Sequence, residues 1–242
     1  MPRIFLLSPA NTGGTRGRIL LSDRAKSDLA VQLRSGARVP ICEVFSFLSG
    51  LYFRGKITYA MHFGRPPRRR GAIVADGAWV ITPSAGLLRA DTSVTLEDLK
   101  RYASVDVSAA NAAYRKPLER TAHDLVRRVG PRTEVVLLGS IASAKYVDVL
   151  TGIFGARLLF PIEFVGRGDM SRGGLLLRCV RDDRELEYVP LAGAVRHGPR
   201  PPKLEPIKGI LTTFTAAGNA LPASAGETSR AAQPPRPRRP AP

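Results

Sequence analysis

Cysteine is nearly absent from this 242-residue chain: Cys42 and Cys179 are its two copies, far apart in sequence. A disulfide scaffold needs more cross-links than one distant pair, and a structural zinc site needs closely spaced ligands, so neither is expected and no metal site is assigned. Histidine is also scarce. None of His62, His123 and His197 stands beside a serine, cysteine or carboxylate in the spacing of a hydrolase triad. No apolar run approaches the ~20 residues that cross a bilayer, so no membrane partner is expected. Residues 1–8 are too short for a signal peptide and lead directly into polar residues. They read as a first buried strand, and the cytoplasm is the expected location. Acidic residues are few: 20 Asp and Glu stand against 37 Lys and Arg, a formal net charge of +17. From Ala216 onward the chain holds four arginines and Glu227, a net of +3, so +14 belongs to the rest. Such a charge suits polyanions. It equally suits arginines that are simply solvated, because charge alone carries no specificity.

Hydrophobic residues make up 44% of the chain, enough for a packed core. Residues 4–7, 79–81, 135–138 and 158–160 read as parallel strands, with a further strand piece at 73–74 before a turn at Asp76-Gly77. Ala25, Leu29 and Leu33 share a helical face that Ser22 is placed to cap. Residues 41–63 read as two short helices with a bend, punctuated by Gly50 and Gly55. Thr95 opens a capped helix reaching about Ala103. Another is expected to start near Pro117 and to stop at Gly130-Pro131. Residues 145–154 form the next helical pattern. Residues 175–180 and 185–191 flank Asp182-Asp183-Arg184 as an antiparallel hairpin. The expected fold is α/β: a three-layer sandwich with a mixed, mainly parallel sheet and a C-terminal antiparallel hairpin. One domain is expected over residues 1–215, its last segment, 207–214, being a short strand or packed arm. Residues 216–242, rich in Pro, Ala and Arg, read as a disordered tail.

The strand at 135–138 ends in Gly139-Ser140, and a helix follows. This is how α/β folds build an anion-binding corner. Gly139 permits a tight exit from the strand, Ser140 and Ser143 carry hydroxyls, and Lys145 is a mobile point charge. The same residues also fit an ordinary junction with serine as the helix cap. The Gly-rich loop at 8–17 follows the first strand and contributes Asn11 and Arg16. It lacks the ending of a Walker loop and the spacing of a dinucleotide fingerprint. Residues 163–174 gather polar groups on a Gly-rich backbone. Arg167 and Arg172 form a candidate clamp for phosphate or carboxylate, and Asp169 is the single candidate for proton transfer. A solvent loop with an internal Arg–Asp bridge is the other reading. A small-residue loop containing Ser84 follows the Trp79 strand. Convergence of Ser84, Ser140 and Arg167 at one end of the sheet would make a single pocket. Tyr52, Lys56 and Tyr59 share a helical face beside Arg54, either a stacking surface for nucleic acid or part of the core.

Residues 45–56 (Phe-Ser-Phe-Leu-Ser-Gly-Leu-Tyr-Phe-Arg-Gly-Lys), 138–142 (Leu-Gly-Ser-Ile-Ala) and 164–174 (Phe-Val-Gly-Arg-Gly-Asp-Met-Ser-Arg-Gly-Gly) resemble an uncharacterised bacterial family. That resemblance spans about Arg3 to Leu204 and implies no particular activity. Residues 4–9, 52–59 and the pattern Ser84-x-Gly86-Leu87-Leu88-x-x-Asp91 resemble small α/β proteins around the YaaA peroxide-stress family and nucleobase-modification enzymes. That likeness implies a link to nucleic acid and transfers no catalytic residue.

The expectation is a cytoplasmic protein that binds a phosphate-bearing ligand, a nucleotide or nucleic acid, with processing of that ligand left open. The rival is a non-catalytic basic module that docks on nucleic acid or a protein through Arg68, Arg69, Arg70 and the tail. No cofactor and no oligomeric state are assigned.

Overall fold

The apolar run after Pro2 becomes β1 (Arg3–Leu7), with Ile4 to Leu7 fully buried. The structure, a computed structural model, describes residues 1–142 and 144–204, all within the unit Met1–Leu204. Ser143, the expected arm at 207–214 and the expected tail at 216–242 lie outside the described residues.

After β1 come α1 (Thr15–Leu21), α2 (Asp28–Arg34), β2 (Val39–Pro40), α3 (Ile41–Ser49) and α4 (Leu51–Phe63). The short strands β3 (Arg68–Arg69) and β4 (Ala72–Ile73) precede β5 (Ala78–Thr82), β6 (Gly86–Arg89) and β7 (Ser93–Val94). Next are α5 (Leu96–Ala103), α6 (Ala112–Val129), β8 (Glu134–Leu138) and α7 (Ala144–Phe154). The described elements end with β9 (Leu158–Pro161), α8 (Asp169–Arg181) and β10 (Tyr188–Pro190).

Six strands form one sheet in the order β10-β9-β8-β1-β5-β6. The four expected parallel strands are its centre: β1 pairs parallel with β5 and β8, and β8 with β9. Antiparallel strands close both edges, β6 on β5 and β10 on β9. Period-two alternation sends side chains to opposite faces. Phe5, Leu7, Val136 and Leu138 pack into one core with α1 to α5 and α8. Ile4, Leu6, Val135 and Leu137 pack into a second core with α6 and α7. The molecule is therefore a three-layer α/β fold.

Local readings need four corrections. Residues 175–180 belong to α8, not to a strand. Leu175, Leu176 and Cys179 are buried at helical spacing, and the edge strand β10 pairs instead with β9. Helix α6 starts a turn before Pro117, because the Asn111 side chain caps it by accepting from the Ala113 N–H (3.0 Å). Ser22 ends α1, and Ser27 caps α2. Residues 72–73 pair with β3 in a small exposed hairpin and do not join the main sheet. The bend between α3 and α4 falls at Gly50, at a φ of 57° that suits glycine. Gly55 lies inside α4, and Thr95 forms the expected capping box with Asp98.

Candidate functional site

Strand β1 lies at the point where the sheet reverses its winding. The chain leaves β1 toward β5 on one side and leaves β8 toward β9 on the other. Loops at such a point diverge and leave a crevice at the carboxyl ends of the strands. A cleft of about 720 Å³ occupies this position. The loop after β1 lines it with Ser8, Asn11 and Thr12, the loop after β5 with Pro83, and the loop after β8 with Ser140. Residues 102–107 and Ser49 form its far wall, and Lys145, Tyr146 and Asp169 stand at the starts of α7 and α8.

Ser8 sits directly after β1, and its backbone N–H donates to the Leu138 carbonyl (3.1 Å). Lys56 reaches it from α4: Nζ lies 2.7 Å from the Ser8 carbonyl oxygen and 2.8 Å from Oγ. The same Nζ lies 4.4 Å from the centre of the Tyr52 ring and 4.9 Å from that of Phe53. Lys56 is 1% exposed. Burial lowers its pKa from 10.5 to about 7; the Asp169 carboxylate opposes this drop and the Arg172 guanidinium adds to it.

Tyr146 approaches from the opposite face of the sheet, and its hydroxyl donates to the Ser140 carbonyl (2.9 Å). Burial raises its phenol to about 12, with the Ser8 hydroxyl pulling the other way. Gly139 is what lets these groups meet. A Cβ there would lie 2.8 Å from both Ser8 Cβ and the Tyr146 hydroxyl. Tyr52 lines the cleft while 4% exposed, and its hydroxyl, although near the Arg172 guanidinium, makes no hydrogen bond of good geometry among the described residues. Burial pushes that phenol above its usual range. Leaving a buried hydroxyl unpaired costs about 1–3 kcal/mol.

The sequence candidates divide. Asn11, Ser140, Lys145 and Asp169 line the cleft, and Gly139 supports its floor. Arg16 lies elsewhere, in a groove with Ile19, Ser46, Phe47, Gly50 and Arg54, donating to the Phe47 carbonyl (3.4 Å). Arg167 is spent on its own neighbourhood, on the Glu163 carbonyl (3.0 Å) and Ser171 Oγ (3.3 Å). Arg172 is buried and donates to the Phe164 carbonyl (3.0 and 3.2 Å) and to Asp169 (3.3 Å). Both guanidiniums are thus hydrogen-bonded within the protein, and neither lines the cleft. Of the three groups expected to converge, Ser140 lines the cleft, whereas Ser84 and Arg167 do not. The Tyr52, Lys56 and Tyr59 face is core and not a stacking surface, because α4 is enclosed by the sheet and α8.

The pairing of Ser8 with Lys56 escapes a linear reading, because the two are 48 residues apart. One signal is present: a lysine on the same helical face as two tyrosines must be buried with them and must find oxygen partners. Comparison of the chain with protein-family models, with curated proteins and with solved structures finds no match.

Proposed function

We propose that the chain binds a phosphate-bearing ligand of nucleotide size in the cleft at the carboxyl ends of β1, β5 and β8. The carrying observation is the polar cleft itself, set where the winding of the sheet reverses, with the Tyr52 hydroxyl unpaired in its wall. Its volume falls in the range of small-molecule sites. Donors suited to phosphate oxygens surround it: the Asn11 amide, the Ser140 hydroxyl and the Lys145 ammonium, the one cation lining it among the described residues. Asp169 and Asp106, which also line the cleft, suit ribose or base donors. Calorimetric titration of the full chain with AMP, ATP and inorganic phosphate tests this. Binding of a nucleotide, weakened about tenfold by Lys145→Ala, is the expected result. No heat at millimolar nucleotide with a folded chain refutes it.

A second reading rests on a different surface. Arg68, Arg69 and Arg70 are exposed on the β3–β4 hairpin, a basic projection suited to docking on nucleic acid or an acidic protein.

A further inference from the structure

We propose that Ser8 is a nucleophile toward phosphorus and that Lys56 is the base that takes its proton. The inference rests on the cleft being the ligand site, and it names the substrate class: a phosphodiester or phosphoanhydride. Ser8 lines the cleft, whereas Lys56 stands behind it, out of reach of solvent. Two oxygens of one residue face the same amine, at 2.7 and 2.8 Å. A neutral amine satisfies both at once, donating an N–H to the Ser8 carbonyl and accepting the Ser8 hydroxyl proton. Tyr146 crowds Ser8 from the other side, at the point left open by Gly139. The Ser8 hydroxyl thus stands against a buried amine, the arrangement of a serine whose base is a lysine.

The surroundings favour the neutral amine. Burial dominates, the Tyr52 and Phe53 rings enclose Nζ from its own helix, and Ser8 faces it from β1. From α8, the Arg172 guanidinium disfavours the ammonium while the exposed Asp169 carboxylate supports it, and the balance lies at about 7.

The step balances without a further reactant. As Ser8 Oγ attacks phosphorus, its O–H bond breaks and the proton passes to Lys56 Nζ. The Oγ–P bond forms as the bond from phosphorus to the leaving oxygen, in line on the far side, breaks, and that oxygen takes a proton from water in the open cleft while Nζ keeps the Ser8 proton. Water from the cleft then attacks the phosphoserine opposite Oγ and gives up its proton to the cleft solvent as the Oγ–P bond breaks. Oγ recovers the proton from Nζ.

A dialkyl fluorophosphonate probe tests the pair directly, because Oγ–P formation expels fluoride and leaves an adduct visible by intact mass. The full chain is expected to acquire one adduct, mapped to Ser8. Its formation rate should rise with pH through a midpoint near 7. Ser8→Ala should abolish it, and Lys56→Met should slow it about a hundredfold. The wild-type pH profile stands even if a variant fails to fold. No adduct on the folded wild type, an adduct on another residue, or a rate insensitive to pH between 6 and 9 overturns the proposal. The probe does not need nucleotide recognition. Nucleotide binding without an adduct defeats the nucleophile and leaves the cleft reading standing; an adduct without nucleotide binding supports the nucleophile and defeats the ligand assignment.

Discussion

An amine buried as deeply as Lys56 ties stability to pH. Below about pH 7 the folded and unfolded chains both carry the ammonium, and its burial cost is present in full. Between about 7 and 10.5 the unfolded chain binds the extra proton, so folding becomes more favourable as pH rises. The drop corresponds to a window on the order of 5 kcal/mol. The melting temperature is therefore expected to rise from pH 6 to 9, and Lys56→Met to flatten that slope and to exceed wild type at pH 6. Thermal melts across buffers check this; parallel slopes for the two proteins would show that Lys56 is not the titrating group. The spacing of Tyr52, Lys56 and Tyr59 points to such burial, yet Ser8 as the partner is invisible in sequence, because no local spacing links it to α4.

Helices α4 and α8 make their closest approach through two glycines. A Cβ on Gly55 would stand 2.7 Å from the Gly173 carbonyl oxygen, and one on Gly173 would stand 2.7 Å from the Leu51 carbonyl oxygen and 2.8 Å from Tyr52 Cα. Backbone cannot yield as a flexible side chain can, so the helices must separate. Gly173→Ala is expected to cost about 1–3 kcal/mol in a urea titration. It should also loosen the wall that carries Tyr52, weakening nucleotide binding beyond what stability explains. An unchanged urea midpoint would show that the helices part freely. The same close approach explains why residues 175–180 read as a strand in sequence and fold as a helix. A short apolar run fits a buried strand or a buried helix equally well, and the glycine pair that docks α8 becomes evident only when α4 lies beside it.

The two ends of the sheet differ. At its amino end Arg3 bridges Glu134 and Glu185 and stacks on Tyr188, 4.6 Å from the ring centre, while Arg65 holds Glu185 at 2.8 Å. Closing one end this way leaves the carboxyl end as the open face. The chain carries a formal net charge of +17, and the docking reading assigns part of it to the β3–β4 hairpin. If that reading holds, short DNA and RNA should bind the full chain with a steep salt dependence. Replacing Arg68, Arg69 and Arg70 by alanine should then reduce the log–log slope by up to about 0.9 for each phosphate these arginines neutralise. An unchanged slope would remove the hairpin from any nucleic-acid surface.

The apolar runs by themselves determined the four parallel strands, the α/β class and the corner at Gly139-Ser140, because a strand buried on both faces must be apolar at nearly every position. Capping at Thr95 and the bend at Gly50 were equally local, written in single side chains and one backbone angle. Tertiary structure alone decided which polar groups meet. It tied Arg167 and Arg172 to neighbouring backbone carbonyls, sent Arg16 to a separate groove and set Lys56 behind Ser8. Those outcomes depend on strand order and helix approach. Both arise from packing the whole chain at once, so residues far apart in sequence share one cleft.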